Sequence, residues 1–179
     1  IDLDGAFVAP GFVDSHVHVA ATGLAIVGLD LRTAASSEHL LRLVTEYARG
    51  ASAGPIWGHG WDETRWPCGL PPTTDELDAA VGDRPAYISR VDVPSAVAST
   101  ALRRLVPGLP TAAGHDHQRP LSADAHHLVR AVARNLLTPA QRREAQRAAL
   151  DRAARCGIVA VHECAGPDIG GMDDWQELR

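Results

Sequence analysis

"FVDSHVHV", residues 12–19, places two histidines one residue apart at the end of an apolar run. In an extended chain alternate side chains share a face, so Asp14, His16 and His18 would lie on one side and Val13, Ser15, Val17 and Val19 on the other. A carboxylate and two imidazoles on one face are costly to bury unless something binds them. Two neutral imidazoles so placed can hold one divalent metal, most often zinc. The plainer reading is an exposed histidine pair that closes a strand.

Outward from this run, strand-like and helix-like segments alternate. Four strands are expected, at 12–18, 55–60, 85–91 and 158–163. Between them lie helical patterns. Leu40, Leu41, Val44 and Tyr47 recur at helical spacing before Gly50. Thr73 and Glu76 form a capping box before a helix closed by Gly82. "SAVASTALRRL" reads as a short helix that stops before Pro107, and residues 122–137 as a longer one. The best-defined helix begins at the N-cap Thr138, with Pro139 first, Gln141 completing the box and Gly157 ending it; Ala145, Ala149 and Ala153 give it a small-residue face. "DDWQELR" begins another helix. Strands alternating with helices predict an α/β fold with βα units around a parallel sheet. Four units make half of a (β/α)8 barrel, which typically needs about 250 residues. The 179 residues therefore read as the N-terminal part of a longer enzyme.

Composition narrows the partners. The chain is 45% hydrophobic and 22% charged, which suits a folded domain. Its net charge is -5, every one of its 17 basic residues is arginine, and no basic run occurs, which argues against a nucleic-acid partner. No apolar stretch reaches the roughly 20 residues that span a bilayer. The start, "IDLDGAFVAPGF", has no basic n-region and is not read as a signal peptide. Three unpatterned cysteines fit a reducing, cytoplasmic setting better than a disulfide scaffold.

"GAFVAPGFVDSHVHV" resembles the opening of the metal-dependent amidohydrolase superfamily, and "GHGWDETRWP", "PPTTDELDAAVGDRPAYISRVD" and "GIVAVHE" resemble its amidohydrolase-3 type, similar to YtcJ-like and N-substituted formamide deformylase-like proteins. The likeness runs from about residue 4 to 168. It implies a distorted (β/α)8 barrel, of which residues 10–179 would be the N-terminal half. It also implies a flanking β-sandwich, of which residues 1–9 would be a remnant strand. The implied activity is hydrolysis of amide-like, non-peptide C–N bonds in a small-molecule substrate by water activated on one or two divalent ions, zinc above all. His16 and His18 match the superfamily's first ligand pair. A homo-oligomer would be compatible with it.

The chain departs from that pattern in three places. It ends before the superfamily's later histidines and its late aspartate, the usual proton shuttle, so no catalytic acid or base is assigned. It has no lysine to carboxylate as a metal bridge. Pro94 stands in "DVPS" where a histidine is expected. Glu163, closing "IVAVHE", could supply the missing anionic ligand; His162 and Cys164 are the other candidates, and on alternation His162 and Glu163 face opposite ways. In "GHGWDETRW", glycines flank His59, and Trp61 and Asp62 are candidates for substrate binding; a tryptophan-anchored loop is the alternative. The second His-x-His, His115 and His117, follows a glycine in a polar segment and reads as a surface loop. His126 and His127 are consecutive in a helix, diverge by about 100° and cannot chelate one metal together. A metal-assisted isomerase or deaminase on the same fold, or an inactive remnant, are the competing functional readings.

Overall fold

Phe12–Val17 form strand β1, and helix α1, Val19–Val27, begins one residue after His18, which is its N-cap residue. The histidine pair thus straddles a strand-to-helix junction rather than lying wholly in a strand. The computed structural model describes residues 2, 4–50, 54–166 and 169–178. The chain continues through β2 (Leu29–Asp30), α2 (Ser37–Gly50), β3 (Ile56–Trp61), α3 (Thr74–Val81), β4 (Ala86–Arg90) and β5 (Ala96–Ala98). It then runs through α4 (Thr100–Arg103), α5 (Ala123–Asn135), α6 (Pro139–Arg155), β6 (Ile158–Glu163) and α7 (Met172–Leu178). The expected strand at 1–9 falls partly on residues 1 and 3, outside the described ones; from Asp4 to Gly11 the chain turns and runs exposed without strand pairing.

All four expected strands form, but not in one sheet. β1 pairs in parallel with β6, Val17 beside Glu163, whereas β2, β3, β4 and β5 make a separate sheet in that order. Its first three strands are parallel, and β5 runs antiparallel to β4. The stretch expected as one helix, "SAVASTALRRL", divides for a local reason. Ala96, Val97 and Ala98 are fully buried against β4, and Ser99 starts the helix only afterwards, its hydroxyl accepting from the Leu102 amide at 3.4 Å. The hairpin return closes that edge of the sheet.

Each sheet has its own packing. The four-stranded sheet buries Leu31, Ile56, Trp61 and Ile88 against Leu40 and Val44 of α2 and Leu77 of α3. A second cluster gathers Tyr87, Ala96, Leu102, Leu121 and Val129 under α5. Both predicted capping boxes are present. Thr73 and Glu76 exchange bonds of 2.8 and 3.3 Å, and Thr138 and Gln141 bonds of 2.9 and 3.2 Å. The two-stranded sheet is held to the rest by helices. Leu24 of α1, Leu137 and Ala145 of α6 meet in one cluster, with Trp57 of β3 against it. At this crossing Gly23 lies so close to Ala145 that any Cβ on residue 23 would overlap the Ala145 backbone. The small-residue face of α6 is therefore a docking face for α1.

Of the consecutive histidines of α5, His127 is exposed and His126 is buried, and their rings touch edge to face with centroids 5.4 Å apart. The Nε2 of His126 and the hydroxyl of Tyr87 share a hydrogen bond of 2.7 Å, and the other ring nitrogen has no partner. Burial, then the nearby Arg130 and His127, pushes the His126 pKa down to about 4. Burial pushes the Tyr87 hydroxyl up.

Two outcomes follow from these contacts. Gly23→Ala should force α1 off α6 and cost about 1–3 kcal/mol, the usual range for overpacking. Gly50→Ala, where nothing would meet the new methyl group, should be neutral or slightly stabilising; thermal melts of the two variants make the comparison. Because the folded His126 titrates near 4 and an unfolded histidine near 6.5, the unfolded chain binds the extra proton in between. Stability should therefore fall as pH drops from about 6.5 to 4, by roughly 3 kcal/mol from this residue. His126→Gln should flatten that window in denaturant titrations at several pH values.

Candidate metal centre

β1 delivers His16 and His18 to one corner of the molecule. The Asp14 carboxylate turns back on its own strand and accepts from the His16 amide at 3.1 Å, which fixes the backbone between them. The two imidazole rings meet edge to face with centroids 5.2 Å apart. His16 is exposed and His18 is partly buried. The Nδ1 of His18 is buried and has no hydrogen-bond partner in the protein. A buried ring nitrogen left without a partner is costly, so this one fits a ligand bond.

β6 brings Glu163 to the same corner. Its side chain is only 10% exposed; one oxygen lies 3.9 Å from His18 Nδ1 and the other accepts from the Val19 amide at 2.7 Å. Val19 opens α1, so the carboxylate sits on the positive end of a helix. His162 faces the other way and is exposed. Cys164 continues the sheet, its amide donating to the Val17 carbonyl at 2.8 Å. Of the three candidates in this strand, Glu163 is the one turned toward His18. Among the described residues no three potential ligands are closed into a metal site.

Glu163 stands between two cavities. One is a narrow pocket of about 10 Å3, on the scale of a single water, with His18, Ala21, Asp174 and Trp175 among its walls. The other is an open groove of about 630 Å3 bounded by Gly166, Gly171, Met172 and Trp175. α7 thus supplies a wall that sequence reasoning did not connect with the histidines. Asp174 anchors it. Its buried carboxylate pairs with Arg134 at 2.5 Å and Arg142 at 3.5 Å, and accepts from the Gly171 amide at 3.0 Å. The signal in the sequence was the pair Asp173-Asp174 beside a tryptophan, but its arginine partners lie some 30–40 positions earlier.

Trp61 and Asp62 belong to the other sheet. Trp61 is wholly buried, its indole N–H donating to the Ile88 carbonyl at 3.2 Å. Asp62 caps the short turn Glu63–Arg65, accepting from the Thr64 amide at 3.2 Å and hydroxyl at 2.6 Å, with Arg90 3.6 Å away. The Thr64 hydroxyl, more than the Arg90 charge, holds the Asp62 carboxyl below its usual range. Neither residue lines the two cavities beside Glu163. His59, between the glycines, pairs through Nδ1 with the Ser89 hydroxyl at 3.0 Å.

A family model described as the amidohydrolase family matches residues 1–179. The chain belongs to that family. It is 34% identical over 92 residues to YtcJ of Bacillus subtilis (strain 168), named as an amidohydrolase. It is 30% identical over 101 residues to the protein LONG AFTER FAR-RED 3 of Arabidopsis thaliana. These matches take in 51% and 56% of this chain but only 17% of either relative. Two solved structures, uncharacterized metal-dependent hydrolases of Pyrococcus horikoshii OT3 and Pyrococcus furiosus, superpose with TM-scores of 0.69 and 0.70 at 26% and 28% identity. They cover 85% and 90% of this chain, and the chain covers 30% and 33% of theirs. This amidohydrolase chain thus spans about a third of those structures.

Glu163→Gln separates capping from metal binding, because the amide oxygen still accepts from Val19 while the charge is gone. A ligand role predicts a fall in bound zinc of at least about tenfold in affinity, with the melting temperature nearly unchanged. A role limited to the cap predicts equal zinc per chain in both proteins, read by elemental analysis.

Proposed function

We propose that this chain carries the first part of the active centre of a metal-dependent hydrolase acting on amide-like, non-peptide C–N bonds of a small molecule. The observation that supports the reading is the unpartnered Nδ1 of His18, 3.9 Å from Glu163 and with the His16 ring against its own, in a chain of the amidohydrolase family. A divalent ion bound there, zinc by the donor chemistry, would make water acidic enough to act as a nucleophile near neutral pH. The chain's own part is to orient the donors. Asp14 fixes the backbone at His16, and Val19 N–H holds Glu163 beside His18. The Glu163 carboxylate would also supply the negative charge that a carboxylated lysine would otherwise provide, in a stretch of chain without lysine.

On the same proposal β1 and β6 are neighbouring strands of a (β/α)8 barrel, supported by their parallel pairing, and the β2–β5 sheet is a separate layer whose strands lie between them in the sequence. Asp62 would then meet substrate from that layer, with Trp61 packed behind it rather than in contact. Residues 1–9 remain proposed as part of a flanking sandwich.

The test is hydrolysis of a panel of N-acyl and N-formyl amides, before and after chelation and zinc return. In the full-length parent, activity should vanish with the metal and return with it, and His16→Ala or His18→Ala should lower it by several orders of magnitude. Residues 1–179 alone should turn over poorly, since no described residue is placed as a proton shuttle beside Glu163. Metal-independent turnover of the parent would overturn the proposal.

A further inference from the structure

α5, Ala123–Asn135, ties two parts of the molecule together. Near its start His126 meets β4: its Nε2 and the Tyr87 hydroxyl share their bond of 2.7 Å, and the Tyr87 ring lies tilted against Trp57 of β3 with centroids 4.6 Å apart. Two turns on, Arg134 reaches the Asp174 carboxylate of α7 at 2.5 Å. One helix thus links the four-stranded sheet to the wall beside Glu163.

The first of these ties has no provision for an added proton. His126 is 1% exposed, and its Nδ1 is buried without a partner. In a neutral imidazole one nitrogen donates and the other accepts, so the bond to Tyr87 can be made either way; a proton makes both nitrogens donors. Nε2 then needs the Tyr87 oxygen as its acceptor, and Nδ1 has none among the described residues. The new charge would also face cations: Arg130, one turn along and itself buried, and His127 on the same helix. No carboxylate pairs with Arg130 among the described residues. Asp92, the anion that bears on His126, is already bonded to Arg90 at 2.5 Å. A charge buried in such a place is costly, and the cost falls if the ring reaches water.

The sheet permits that movement. Tyr87 packs with Ala125, Val129 and Ala133 of α5, whereas Ile88, the next residue of β4, packs on the opposite face with α2 and α3. α5 can therefore leave one face while the cluster on the other stays closed, a local opening rather than a global one.

We propose that α5 is an acid-released latch: a proton taken up from solvent by His126 frees the helix from β4 and withdraws Arg134 from Asp174, which loosens the α7 wall of the groove at Glu163. The device does not rest on metal binding or hydrolysis at that corner; it concerns only how the wall is held.

Hydrogen exchange read by mass spectrometry, corrected for the pH dependence of the free chain, follows the latch from pH 6.5 to 4. With the folded ring titrating near 4 and an exposed one near 6.5, protection of residues 123–135 should fall by on the order of a hundredfold. Residues 172–178 should lose protection by a smaller factor, because Arg142 and the Gly171 amide still hold Asp174. α2 and β3 should keep theirs. His126→Gln cannot take up the proton and should remove most of the acid response of α5 and α7; the remainder belongs to carboxylates. Arg130→Gln removes the stronger of the two neighbouring charges and should shrink the response, which keeps the test available if His126→Gln does not fold. A response of wild-type size in either variant would overturn the proposal. So would loss of protection in α2 and β3 together with α5.

Discussion

Residue 23 has no Cβ, and the position of α1 depends on that. Any side chain there would overlap the Ala145 backbone of α6, so the two helices cross at backbone contact. α1 follows directly from β1, and α6 leads through Gly157 into β6. Locking one helix on the other therefore sets β1 beside β6, strands separated by some 140 positions in the chain. The two-stranded sheet has little else to hold it. Phe12 and Val159 remain largely exposed, and a parallel pair of strands is not stable by itself. The helix crossing substitutes for the wider sheet that such strands ordinarily need.

That crossing also decides what Glu163 can do. With β6 in place, its carboxylate meets the first amide of α1, where the helix N-terminus favours a negative charge. The same placement leaves its second oxygen toward His18, whose inner nitrogen has no other partner. Capping therefore supports the proposed ligation. The bond to Val19 uses one oxygen and orients the other, which is how a supporting hydrogen bond tunes a metal ligand. An ordinary cap would be satisfied by a neutral side chain, and the nitrogen of His18 would be expected to find a protein acceptor.

The local features were legible in the residues. Thr73 with Glu76 and Thr138 with Gln141 mark helix starts through bonds three positions apart, and both boxes form. The contact of the His16 and His18 rings is local in the same sense, between residues two positions apart. What was not legible depends on partners distant in sequence. The separation of the strands into two sheets follows from β5 folding back on β4, and nothing within "SAVASTALRRL" shows that Ala96–Ala98 will be buried there. α1 itself has almost no polar face, Thr22 being its one polar side chain, and it leaves the apolar Ile26 and Val27 exposed, so its sequence lacks the periodicity that marks an amphipathic helix. Trp61 reads as a pocket wall beside the glycine-flanked His59, yet at the end of β3 its indole is wholly buried and donates to the Ile88 carbonyl.

The wall beside Glu163 shows the same limit in electrostatic form. A carboxylate as deeply buried as Asp174 is tolerated only when its charge is matched and its lone pairs are bonded. Arg134 from α5, Arg142 from α6 and the Gly171 amide meet that requirement, and the Gln146 side chain donates to the Asp174 carbonyl at 2.7 Å. Removing one partner from such a set leaves a buried charge uncompensated, so the arrangement favours a single position of α7 over a range of positions. Because α7 walls both cavities at Glu163, the space open to a ligand there is set by arginines on two other helices. The shape of this corner is thus fixed through charge at one end of α5 and α6, while the placement of His18 and Glu163 is fixed through the absence of a side chain at Gly23.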